Sequence, residues 1–301
     1  MKLVVIMFCF MIFGCSFDSI AKEQFIENMK ESQKQIQKTE NFFLVEKATP
    51  SMLLMLDSFI LKNPSDKFLL VQGAQLHSMY GALFVQNDNS VWASMHYKQA
   101  KEYATKACGL EPNILQEEQN FIAALDKLNP QMIEALFWLA TSWGSFISVN
   151  ADNITLLDEL TQVEASMKKV ISWDKKYQDG LPFMFLGKLK SKNDIVESYF
   201  KTALEISQRK LLLIHVEYAK TLARFSTDES LFEGLLNEVV DTWENRKSKN
   251  LKQTFALVNS VSYNTAKNLL DNIEEFYDEE DEEDDEEDYD EDDNDEDDYD
   301  E

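Results

Sequence analysis

The residue types that carry most enzyme chemistry are sparse in this 301-residue chain. It has three histidines, His77, His96 and His215, with no paired metal spacing such as H-x-x-x-H between them. It also lacks G-x-S-x-G, H-E-x-x-H and a phosphate-cradling G-x-x-x-x-G-K. Carboxylates are plentiful, but helices rich in Asp and Glu hold carboxylate pairs by chance. Residues 278–301 contain 21 Asp or Glu in 24 positions. Dense carboxylates suit hard cations, yet the run lacks the fixed glycine and ligand order of a calcium loop. No catalytic residue, cofactor or metal site is expected, and the protein is not read as an enzyme. The side chains that could instead receive a ligand or partner are Trp138, Phe183, Phe185, Tyr263 and the polar Asn259. Trp138 stands one position off the apolar stripe of its helix, whereas Trp143 lies on it and is expected in the core. Asn259 is expected to bond a backbone group between helices or to touch a partner.

The cysteines locate the chain. Residues 3–13 read LVVIMFCFMIF after a single Lys2. Eleven apolar residues are too few to span a bilayer, which needs about 20, but they suit the apolar region of a signal peptide. Ile12-Phe13-Gly14-Cys15 follows and resembles the bacterial lipobox. That resemblance implies cleavage after Gly14 and lipid attachment at Cys15. Cys9 would then leave with the signal peptide, and lipidated Cys15 could form no disulfide with Cys108. Cys108 is expected as a small buried apolar residue. The expected organisation is signal peptide 1–14, lipid anchor and tether 15–45, helical domain 46–277 and disordered acidic tail 278–301.

The net charge of −26 belongs mostly to the tail, since the rest of the chain has 34 acids against 29 bases. Such a body lacks the basic face that nucleic acid requires. A tail this charged and this poor in apolar residues is expected to stay disordered.

The elements that must position the aromatic residues are helices. The whole chain has 8 Gly and 5 Pro, few enough for long uninterrupted helices. All five prolines fall at expected helix starts or in loops. In 131–148, Ile133, Leu136, Phe137, Ala140, Trp143 and Ile147 follow helical spacing and share one face. Asn129 and Pro130 precede it as cap and first-turn residues do. Further helices are expected at 51–62, 67–86, 91–109, 114–126, 153–173, 181–189, 194–208, 211–224, 229–246 and 251–276. Short connections make antiparallel pairs of neighbours. Gly73, Ala74, Gly81 and Ala82 are expected to let two helices approach closely.

An irregular repeat runs through these helices. Ala100, Ala104, Ala107 and Pro112 match the second helix of a tetratricopeptide unit, as do Met52, Leu56, Phe59 and Pro64. Val163, Met167 and Val170, and then Val196, Phe200 and Ala203, match without the proline. The spacing between units is uneven. The expected fold is therefore all-α: an irregular tetratricopeptide-like stack of helical hairpins with inserted helices. Such stacks usually present a concave binding face.

Residues 133–190 carry IEALFWLATSWGSFISVN and, further on, MKKVISWDKKYQDGLPFMFLGKLK. With the Leu-Phe-Trp-Leu sequence of 136–139, Trp173-Asp174, Tyr177, Gly180 and Phe185-Leu186-Gly187, this resembles the T component of tripartite ATP-independent periplasmic (TRAP) transporters. The likeness continues through Tyr199–Ile206, Leu231-Phe232, Leu235-Leu236 and Val239. It ends in Leu257-Val258-Asn259, Ala266, Leu269-Leu270, Ile273 and Phe276. It covers about 45–276. Lys175 departs from the proline common at that position, and the acidic tail departs from the family pattern.

The resemblance implies a periplasmic lipoprotein with tetratricopeptide-like repeats that assembles as a homotrimer. It implies binding to the solute receptor of a transporter driven by an ion gradient, and a role in handling hydrophobic ligands. The alternative reading is a stand-alone lipoprotein that carries an apolar small molecule.

Overall fold

A computed structural model describes residues 22–86, 89–190, 192–223 and 228–274. The signal peptide, Cys15 and the acidic tail of the sequence reading lie outside these residues. The described residues are helical throughout, with no strand.

The first helix, α1, spans residues 22–38. It occupies part of the segment expected as a tether, because it has apolar groups to bury. Phe25 stacks on Phe59 with ring centroids 3.8 Å apart, and Met29 is buried. The second helix, α2, runs Phe42–Lys62 and passes straight through Pro50. Pro50 was expected at a helix start; it lies well inside the helix instead. Its ring removes one intrahelical hydrogen bond. The helix continues because Val45, Thr49, Leu53, Leu56 and Ile60 bury one face on both sides of the proline.

Helix α3 spans Lys67–Tyr80 and continues through a π turn, Gly81–Val85. Helix α4 spans Ser90–Ala107 and packs on α3. The expected 114–126 helix splits into a 3-10 turn and α5, Glu118–Leu125. Helix α6 spans Ile133–Ser148. The expected 153–173 helix divides into α7, Ile154–Leu157, and α8, Leu160–Trp173. Then come α9 (Leu181–Lys188), α10 (Asn193–Ile206), α11 (Leu213–Leu222), α12 (Glu229–Glu244), the short α13 (Arg246–Lys249) and α14 (Ala256–Asp271).

Short polar side chains start many of these helices. Asn41, Asp66, Asn89 and Asp228 each accept a hydrogen bond from a first-turn backbone N–H, which satisfies a donor the helix itself leaves unpaired. Neighbouring helices pair as a stack: α3 with α4, α6 with α8, α9 with α10, α11 with α12 and α12 with α14.

The stack has two main apolar cores. One gathers α1 to α8 around Leu56, Leu69, Phe121, Phe137 and Trp143. The other gathers α9 to α14 around Phe200, Leu212, Phe232 and Leu236. Leu181 and Phe185 pack against both and form the seam. Segments distant in sequence also meet, as Arg246 donates to both carboxylate oxygens of Glu40.

Candidate functional site

A cavity of about 270 Å3 opens along this seam. Elements from both halves supply its wall. Ser78 and Met79 come from α3, Ala82 and Leu83 from the π turn, and Phe137, Trp138 and Thr141 from α6. The other side is Leu181 and Phe185 of α9, Leu211, Leu213, Phe255, Leu257 and Val258. Gln37, Gln75, Gln178, Asp179 and Thr254 complete it. Most of the wall is apolar, with a few polar groups placed among aromatic and aliphatic ones, which is the usual make-up of a small-molecule site.

Two local features of the backbone shape this wall. The π turn begins at Gly81, whose missing side chain makes room for the Tyr97 ring of α4, since a Cβ there would meet that ring at 2.9 Å. Single π turns often sit at functional positions, and this one sets Ala82 and Leu83 against the cavity. The second feature is the link from α8 to α9. Gln178, Asp179 and Gly180 all have positive φ, at 48°, 53° and 94°. Two successive non-glycine residues in the left-handed region are costly, and such strain concentrates at ligand clamps and switches. Asp179 is held there by an ion pair with Lys252.

Polar atoms in this wall stand out. Ser78 Oγ, Trp138 Nε1 and Thr141 Oγ1 are buried with no hydrogen-bond partner among the described residues. Trp138 and Thr141 are three residues apart on α6, so they share a face.

A smaller chamber of about 100 Å3 adjoins the cavity and shares Ala82, Leu83, Thr141, Phe185 and Leu213 with it. Lys188, Glu217 and Lys220 line its far side. Burial alone would raise the Glu217 carboxyl, but the two ammonium groups outweigh it and hold it down at about 2. The cluster is therefore a neutralised ion group rather than a bare charge. A broader hollow of about 510 Å3 is bounded by residues of α1 alone, most of them charged.

The cavity brings together two of the residues singled out in the sequence, Trp138 and Phe185. Phe183 lies outside its wall and faces Tyr199, with ring centroids 6.5 Å apart. Asn259 is fully buried, accepts from Leu212 N at 2.9 Å and donates to Lys210 O at 2.9 Å. Tyr263 donates to Glu244 at 3.1 Å on the surface. Trp143 is fully buried, as its place on the stripe implied. Cys108 is buried, and that burial pushes its thiol up to about 12. Sequence reasoning passed over Ser78 and Thr141. The spacing of Thr141 from Trp138 was a usable signal; for Ser78 there was none.

Histidine reasoning along the chain also missed a cluster. His77 Nδ1 and His96 Nδ1 are 2.9 Å apart, and His77 Nε2 is 3.2 Å from Asp57 Oδ1. Tyr103 donates to the same carboxylate at 2.9 Å. Burial, and next the neighbouring His77, push His96 down to about 4. The cluster ties α2, α3 and α4 together. Among the described residues no group of three or more His, Cys, Asp or Glu is placed to hold a metal ion.

Comparison with known proteins decides the family. A family model described as TRAP transporter T-component matches residues 39–277. The chain belongs to the TRAP transporter T-component family. The match runs through both cores, the seam and every helix from α2 to α14. Membership implies a non-catalytic, accessory role with a TRAP transporter at the cell envelope. No curated protein matches the chain.

Proposed function

We propose that this T component is a periplasmic lipoprotein, anchored through Cys15, that binds the solute receptor of a TRAP-type uptake system and holds a hydrophobic ligand in the seam cavity. The observation that carries this reading is the family match over 39–277, because it spans both cores and all of the cavity wall except Gln37 of α1. Two features support its parts. Helices α2 and α4 expose large apolar side chains, among them Leu54, Leu61, Val91, Trp92 and Met95. Exposed apolar groups of this size suit burial against a protein partner, whether the receptor or other subunits of a homotrimer. The cavity wall has the mix of apolar surface and few polar groups that a small apolar molecule needs.

The test is capture. The body, residues 16–301, is immobilised and exposed to periplasmic extract, and what stays bound is identified by mass spectrometry. Recovery of a TRAP solute receptor in a fixed ratio is the expected outcome. Recovery of no protein, with an apolar compound in the eluate, would favour the stand-alone carrier instead.

A further inference from the structure

We infer that the turn between α2 and α3, with Leu61, Lys62 and Lys67, rests on the surface of an anionic lipid bilayer and fixes which end of the body faces it. The inference rests on the reading that Cys15 carries the lipid anchor, and it adds the membrane-facing surface and its orientation.

Three observations carry it. The first is where the anchored chain enters the body. Lys22, where α1 begins, is seven residues after Cys15, and a fully extended chain covers at most about 25 Å over that distance. Lys22 Nζ is 2.9 Å from Asp66 Oδ2, and Asp66 caps the start of α3. Phe25 then stacks on Phe59, near the end of α2. The anchor therefore joins the body beside the α2–α3 turn and keeps that end close to the bilayer. The second observation is what projects there. Leu61 is 83% exposed, and Lys62, Pro64, Ser65 and Lys67 are exposed around it. One leucine and one proline are far short of the area a stable protein partner buries. They suit a bilayer interface, where the leucine enters the headgroup layer and lysine stems lie along it with their ammonium groups in water. The third observation is charge. Asp66 is matched by Lys22, whereas Lys62 and Lys67 have no carboxylate partner among the described residues. Glu23, the exposed acid beside Lys22, offsets one of these two. The turn keeps a positive excess, although the chain before residue 278 has 34 acids against 29 bases. Lysines at a membrane surface attract anionic headgroups over about a Debye length. Helix α4 runs back along α3, since His96 meets His77 and Lys67 acts on the thiol of Cys108. The exposed Trp92 and Met95 therefore lie toward the opposite end, clear of the bilayer and open to a protein.

The full chain, matured in a bacterial envelope and reconstituted on vesicles of phosphatidylcholine and phosphatidylglycerol, tests this. Leu61→Cys, labelled with an environment-sensitive fluorophore, is the probe. Met95→Cys, also at an exposed position, is the control toward the other end. Cys108 is buried and stays unlabelled, and Cys15 is blocked by its lipid. Flotation with the vesicles reports anchoring independently of either label. The expected result is flotation, with a blue shift and quenching by brominated lipid at position 61 and neither at position 95. Removing Lys62 and Lys67 together, as Lys62→Gln with Lys67→Gln, should weaken the contact at position 61 about fivefold per lysine at low salt and leave flotation intact. Flotation without a shift at position 61 would overturn the contact and leave the anchor standing. A shift at position 95, alone or alongside position 61, would overturn the orientation. A shift at position 61 that ignores the lysine changes would overturn the recognition of anionic lipid. Failure to float would remove the anchor reading itself, and the inference with it, without touching receptor capture.

Discussion

Asn259 is wholly buried on α14, and its amide is divided between two backbone groups that precede α11. The connection from α10 to α11 turns through positive φ at Gln208 and Arg209, so Lys210 O and Leu212 N leave it with no helical partner. Asn259 supplies both partners from a distant helix. Asn259→Leu keeps the bulk and strands the Leu212 N–H, which costs about 1–3 kcal/mol. Urea denaturation should show that loss. If stability held and receptor capture fell instead, Asn259 would be a contact residue rather than a brace.

Glu217 allows a second residue-scale prediction. Its carboxyl is depressed from the ordinary 4.5 to about 2 in the folded chain. A depressed carboxyl contributes stability above its unfolded value, and that contribution is lost as pH falls through the folded one. Stability should therefore be level above about pH 4.5 on this account and decline from there to about pH 2. Glu238, lowered to about 2 chiefly by its bond from Arg209, adds to the same decline. Glu217→Gln should flatten part of the slope in acid titrations of the melting temperature. An unchanged slope would mean that Lys188 and Lys220 do not hold the carboxylate in solution.

At the scale of elements, the spacing between helices depends on where a side chain is missing. A methyl at Gly187 on α9 would sit 2.8 Å from two ring atoms of the fully buried Phe200 on α10. The ring is rigid and packed, so the two helices would have to separate. Gly187→Ala should cost about 1–3 kcal/mol by overpacking. Gly234 on α12 has nothing within 4 Å of the same point. There Gly→Ala should instead stabilise, by up to about 1 kcal/mol, through helix propensity alone. Thermal melts of the two variants should move in opposite directions.

The same contrast explains what could be read in advance. Periodicity gave the helices, and the buried Ala100, Ala104, Met167, Val170, Phe200 and Ala203 are the small and apolar positions of the repeat. Trp138 was singled out for standing one position off the stripe; it lines the cavity and is also buried in the first core. Pairings across helices were not legible. His77 meets His96, and Ser78 joins Thr141 in one wall, only after α3 has packed against α4 and α6. The helix through Pro50 and the π turn at Gly81–Val85 were hidden for a related reason. Both break local rules, and burial by neighbouring elements maintains them.

At the scale of the molecule, charge is divided between two regions with different physics. The family match ends at residue 277, and 21 of the 55 acids follow it. The body before it carries only a small net charge and has two cores joined by a seam, with an ion pair between Glu40 and Arg246 linking its two halves. The terminal run has almost nothing apolar to bury, so by composition it gains little from docking. Its field on the body is screened beyond about 10 Å at 0.1 M salt. A chain ending at residue 277 should therefore keep its far-ultraviolet dichroism, and its unfolding free energy should change by less than about 0.5 kcal/mol. Its isoelectric point should rise. If truncation lowered the melting temperature by several degrees and added salt lowered that of the full chain in parallel, the run would be bound to basic side chains of the body. The acidic segment would then be part of the fold and not an appendage to it.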